Sequence, residues 1–84
     1  MIEPSTIEFY GNILQVHSPD TEYHREIRSY INMESVVSIS TKIHRNSGVE
    51  TVRLYLPGDS DGWPVRVTPK DADKIVVFFN DLPR

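Results

Sequence analysis

Three histidines, His17, His24 and His44, are the side chains of this chain most suited to metal chemistry, since neutral imidazole is the commonest zinc ligand. No two of them stand at a ligand spacing, and His44 falls at an outward strand position, so no metal site is expected. Asp59-Ser60-Asp61-Gly62 resembles the opening of a calcium loop. Trp63, however, occupies the next ligand position and Asp71 replaces the closing bidentate Glu, so the segment reads as a polar turn. Serine and histidine are both present, yet no serine sits in a Gly-x-Ser-x-Gly elbow; Ser35, Ser38 and Ser40 read as strand edges and outward positions. The carboxylate pair Asp71 and Asp73 is explained by the start of a helix. A chain this short also leaves little room for a water-excluding cleft, so no enzymatic activity and no cofactor are expected.

The residues that do converge are cationic and aromatic. Lys42, His44, Arg45, Arg53, Tyr55 and Arg66 gather on the outward faces of a hairpin and the strand that follows it. Arginine offers planar, forked hydrogen bonding and tyrosine an amphipathic ring, and both are enriched where proteins meet partners. Such a face suits an acidic protein partner or, alternatively, an anionic lipid head group or phosphate ligand. An ordinary solvated sheet face, balanced by the nearby Glu50, explains the same residues. Trp63, alone in a polar loop between Gly62 and Pro64, either folds over an open end of the sheet or projects as a contact anchor, and it completes the candidate surface.

Composition narrows the partners. Nine Lys and Arg against twelve Asp and Glu give a net charge of -3, which repels polyanions at long range and makes nucleic acid an unfavourable partner. With no cysteine among 84 residues there is no disulfide framework and no thiolate metal site. A single domain spanning residues 1–84 is expected, and it buries only roughly two thirds of the surface of its unfolded chain. The first residues, Met1-Ile2-Glu3-Pro4-Ser5-Thr6, lack the basic and apolar regions of a signal peptide, and no window approaches a membrane span. A cytoplasmic location without a transmembrane segment is the resulting expectation, with peripheral membrane contact left open to the basic face.

The elements that must hold this surface are mostly strands. Turn residues recur at Gly11-Asn12, Ser18-Pro19-Asp20, Asn32, Asn46-Ser47-Gly48, Pro57-Gly58-Asp59 and Asp61-Gly62, leaving strand-sized intervals. Ile7 and Phe9 alternate with Glu8 and Tyr10, and Gly11-Asn12 leads into Ile13 to His17, which predicts a hairpin. Val37, Ile39, Thr41 and Ile43 share one parity; Val52, Leu54 and Leu56 repeat it beyond the Asn46-Ser47-Gly48 turn, and Val65 and Val67 supply a last short strand. Residues 18–31 fit two patterns: Ser18-Pro19 could open a helix, whereas Tyr23, Ile27 and Ile31 also keep strand parity, which we favour. Thr68-Pro69 then caps a helix over about 69–82, with Ala72, Ile75, Val76, Phe79 and Leu82 on one apolar stripe and Phe78 at its margin. Val77 falls on the opposite side with Asp73, Lys74 and Asp81.

The order from Ile27-Arg28-Ser29-Tyr30-Ile31 through Val36-Val37-Ser38-Ile39, a hairpin, a strand and the helix to Leu82 resembles the plan of small bacterial pleckstrin-homology-like domains. That resemblance covers about two thirds of the chain. It implies a bent antiparallel sheet closed at one end by a C-terminal helix, and a binding scaffold of varied use; it brings no functional residue with it. The basic lipid-binding loop of some relatives has no counterpart between Ile13 and Tyr23. The fold expected is therefore α+β, with five or six antiparallel strands in a curled sheet or small barrel. Its core would comprise Ile7, Phe9, Leu14, Val16, Ile27, Ile31, Val37, Ile39, Val52, Leu54, Leu56 and Val67. The function expected is that of a non-enzymatic protein-interaction module, adaptor-like or inhibitor-like. An open sheet also leaves an edge strand that a second copy can cover as a homo-oligomer.

Overall fold

The computed structural model of the protein describes residues 4–22, 25–44 and 48–83. Six antiparallel strands and one helix form an α+β fold: β1 (Thr6–Tyr10), β2 (Ile13–Ser18), β3 (Ile27–Asn32), β4 (Ser38–His44), β5 (Val49–Tyr55), β6 (Trp63–Val67) and α1 (Pro69–Asp81). Rather than one curled sheet, the strands divide into two three-stranded sheets ordered β1-β2-β3 and β4-β5-β6, and the described strands close no barrel. The division falls at a short 3-10 turn, Met33–Ser35, which is capped by the Asn32 side chain accepting from the Glu34 N–H at 3.0 Å. Asn12 of the first hairpin turn holds this corner in place: its carbonyl accepts from the Met33 N–H at 2.8 Å and its side-chain amide donates to the Glu34 carboxylate.

Period-two alternation sets the faces. In the first hairpin Tyr10 pairs with Ile13 across Gly11-Asn12, with Gly11 at φ 59°, a left-handed angle that favours glycine. Leu14 and Val16 are thereby buried, while Ile7 and Phe9 are half-buried against the core. The ambiguous stretch before residue 32 resolves as strand from Ile27; Tyr23 and His24 lie outside the described residues. Two expected core residues are instead exposed, Ile27 at the far end of the β2–β3 ladder and Val37 just past the turn. The turn at Met33–Ser35 is the reason for the second: it points Met33 and Val36 into the core and leaves Val37 outside, its N–H bonded to the Tyr55 carbonyl at 2.8 Å.

Helix α1 begins as its sequence requires, with the Thr68 hydroxyl accepting from the Asp71 N–H at 3.3 Å and Pro69 in the first turn. It packs on the face of the second sheet that carries Val52, Leu54, Val65 and Val67, with Ala72 and Ile75 fully buried there. Phe79 and Leu82 are half-buried. Phe78 belongs to the core contacts rather than to a margin, since it stacks on Phe9 with centroids 4.3 Å apart and an interplanar angle of 14°. That stack ties the helix to the first sheet, and the Ser5 N–H donating to the Arg66 carbonyl at 2.7 Å ties the start of β1 to β6. Among the described residues no helix is long and apolar enough to cross a membrane.

Candidate functional site

The polar face of the second sheet is built by register. The ladder sets Lys42 of β4 opposite Thr51 of β5, and Thr51 opposite Arg66 of β6, so the three stand in one row across the sheet. Neighbouring strands lie about 4.8 Å apart, which puts the Lys42 and Arg66 backbones roughly 10 Å from each other with the Thr51 hydroxyl between them. The next row holds Ser40 opposite Arg53, and Tyr55 continues the same face of β5. His44 closes the other end. Together Ser40, Lys42, His44, Thr51, Arg53, Tyr55 and Arg66 line a hollow of about 330 Å³ with no carboxylate among them.

Thr51 is its floor, only 6% exposed, and its Oγ1 lies 2.7 Å from His44 Nε2. The walls are held from outside. Arg53 donates through Nη1 to the Asp61 carbonyl at 3.1 Å, so one of its five N–H donors anchors it to the β5–β6 loop and the fork stays oriented. That loop is itself shaped by Asp59, whose carboxylate accepts from the N–H groups of Asp61 and Gly62 at 3.3 and 3.2 Å. The Asp59 carboxylate thus serves the turn. Gly62, at φ 74°, lies so close beneath Tyr55 that a Cβ there would fall 2.8 Å from the ring carbon Cε1. Only glycine satisfies both the backbone angle and the approach, and the Tyr55 ring is seated accordingly; its hydroxyl lies 3.4 Å from Ser40 Oγ.

Of the surface named from sequence, Lys42, His44, Arg53, Tyr55 and Arg66 share this hollow. Arg45 lies outside the described residues. Trp63 is on the opposite face, in register with Leu54 and half-buried against the core. Glu50, read as a balancing charge for the basic face, also has the other parity: it pairs with Ile43 and Val67, is 7% exposed, and leaves no carboxylate among the described strand residues on the face of the cations. Sequence reasoning missed Ser40 and Thr51 as ligand-facing groups, although both share the parity of the cations beside them.

The remaining titratable groups do not assemble a centre. His17 lies on the first sheet, with Nε2 2.8 Å from Glu26 Oε1, and Arg28 Nε approaches the same oxygen at 3.2 Å. The neighbouring His17 imidazole first, and then the Arg28 guanidinium, hold the Glu26 carboxyl below its ordinary range. No group of three potential metal ligands occurs among the described residues. Comparisons with protein-family models, with curated proteins and with solved structures find no match for the chain.

Proposed function

We propose that the chain is a non-enzymatic interaction module that captures oxyanions carried by a protein partner, acidic side chains above all, in the hollow on the β4-β5-β6 face. The observation that carries this reading is the row Lys42–Thr51–Arg66 with Arg53 beside it: three permanent cations around a buried hydroxyl, with no carboxylate among the described residues that line the hollow. Arg53 and Arg66 can each present a fork to a carboxylate, and Thr51, Ser40 and Tyr55 add neutral hydroxyls that orient it. The order of antiparallel strands followed by a C-terminal helix supports a pleckstrin-homology-like scaffold for this role.

The test is calorimetric titration with a hexaglutamate peptide at low salt and at about 1 M salt, where screening falls to about 3 Å. Binding at low salt that is lost in R53A/R66A supports the reading. No heat at low salt, or equal binding by the variant, refutes it.

A second reading, peripheral contact with an anionic lipid surface, rests on the same cations, since Lys42, Arg53 and Arg66 around the hollow suit a lipid phosphate as well as a carboxylate. Sedimentation with vesicles containing phosphatidylserine separates the two readings. Vesicle binding without peptide binding selects the lipid.

A further inference from the structure

One side of α1 carries the exposed Lys74, Val77 and Asp81 and the half-buried Phe78, spaced i, i+3, i+4 and i+7 along one helix face. With Phe9 and Leu82 they bound a second hollow, of about 570 Å³, whose floor is the Phe9–Phe78 stack. Val77 beside it is 58% exposed, an unusual position for a β-branched apolar side chain on a helix that already buries its other face. The charges at the two ends of this stripe are opposite in sign. Asp81 stands in the last turn, where the helix carbonyls concentrate negative partial charge and where the helix itself carries no basic residue. Lys74 lies two turns earlier, reaching only to Asp71 at 3.7 Å, and more than half exposed.

This pattern is self-complementary. Positions 74 and 81 are equally far from the point between Val77 and Phe78, about 5 Å along the helix axis in each direction. We propose that α1 pairs antiparallel with α1 of a second copy about a two-fold axis through that point. The axis sets Lys74 of each copy against Asp81 of the other, so the ion pair forms twice, and it lays Val77 of each over Phe78 of the other. The partner lysine sets a cation against the last turn, which has no basic residue of its own. Because the contact is isologous it closes at two copies. The polar hollow lies on the other face of the sheet that α1 covers, so both copies keep it open and the dimer presents two such hollows. The pairing itself does not depend on what those hollows bind.

Sedimentation velocity over a concentration series reaching the millimolar range tests the pairing. The wild-type chain is expected to pass from monomer to dimer. Lys74→Asp converts two attractive contacts into two repulsive ones and should weaken the dimer by roughly tenfold or more. Asp81→Lys should do the same, and the charge swap Lys74→Asp with Asp81→Lys should restore dimerisation. Val77→Asp should abolish it. All three substituted positions, 74, 77 and 81, are exposed, and thermal melts by circular dichroism establish that each variant is folded. A wild-type chain that stays monomeric across the series would overturn the proposal. So would a dimer indifferent to Val77→Asp, or a folded charge-swap variant that fails to recover.

Discussion

The Phe9–Phe78 stack is the contact whose removal most directly tests how the two halves of the fold are joined. Its rings are nearly parallel, and with a stacking separation of ~3.5 Å the 4.3 Å centroid distance implies a lateral offset of ~2.5 Å, the offset arrangement that the ring quadrupoles favour. Such pairs contribute about 0.5–1.5 kcal/mol beyond the area they bury. Leucine is the useful replacement, because it keeps most of the apolar volume while removing the ring, and each single change should cost roughly 1 kcal/mol or somewhat more. Wild type, Phe9→Leu, Phe78→Leu and the double variant form a cycle read by urea denaturation. With m near 1–3 kcal/mol per molar for a small domain, each kcal/mol moves the midpoint by roughly half a molar. The double variant should lose less than the sum of the singles by about 1 kcal/mol, since the second substitution finds the stack already broken. Additivity within about 0.3–0.5 kcal/mol, the behaviour of distant sites, would refute the claim that this stack couples helix to first sheet.

Three further outcomes follow from the same structure. Gly62→Ala should destabilise the fold by about 1 kcal/mol or more, from the positive φ and the clash with Tyr55, and should shift the Tyr55 ring resonances in NMR spectra; unchanged stability would contradict the close approach. Ile75→Ala, at a fully buried site, should cost about 2–5 kcal/mol in denaturant melts, whereas Val77→Ala, with the side chain exposed, should change them by less than about 0.5 kcal/mol. Because the Glu26 carboxyl is held below its ordinary range in the folded chain, the unfolded chain binds the proton first as pH falls. Its stabilising contribution is therefore present above the ordinary carboxylate range and lost as pH falls through the lowered folded value; Glu26→Gln should remove that segment of the stability-versus-pH curve, and an identical curve would contradict the pairing with His17.

Much of the local structure was legible in residue order. Gly11-Asn12 between two alternating runs specifies a two-residue hairpin, and Thr68-Pro69 ahead of Ala72 and Ile75 specifies a capped amphipathic helix, because each signal acts within a few residues. The shared face of Lys42, Arg53, Tyr55 and Arg66 was legible for the same reason, since strand parity sends alternate side chains to one side. Residues 18–31 were legible in part: strand was the favoured reading and is found from Ile27, but Ile27 and Ile31 also satisfy a helical period, and pairing with β2 decides between them.

Parity names a face but not a neighbour, and here the residue order stops. That Lys42, Thr51 and Arg66 stand in one row, that Trp63 turns to the core, and that Glu50 is removed from the cations it was thought to balance all depend on cross-strand register, which long-range pairing sets. The division into two sheets follows from the Met33–Ser35 corner and its bonds to Asn12, some twenty residues earlier in the chain. Phe78 is drawn into the core by Phe9, at the other end of the sequence, though the helix period alone puts it at a margin. Short-range patterns thus specify the strands, the helix and their faces. Contacts between distant segments decide which faces meet, because burial is a property of the assembled surfaces and not of any one stretch of chain.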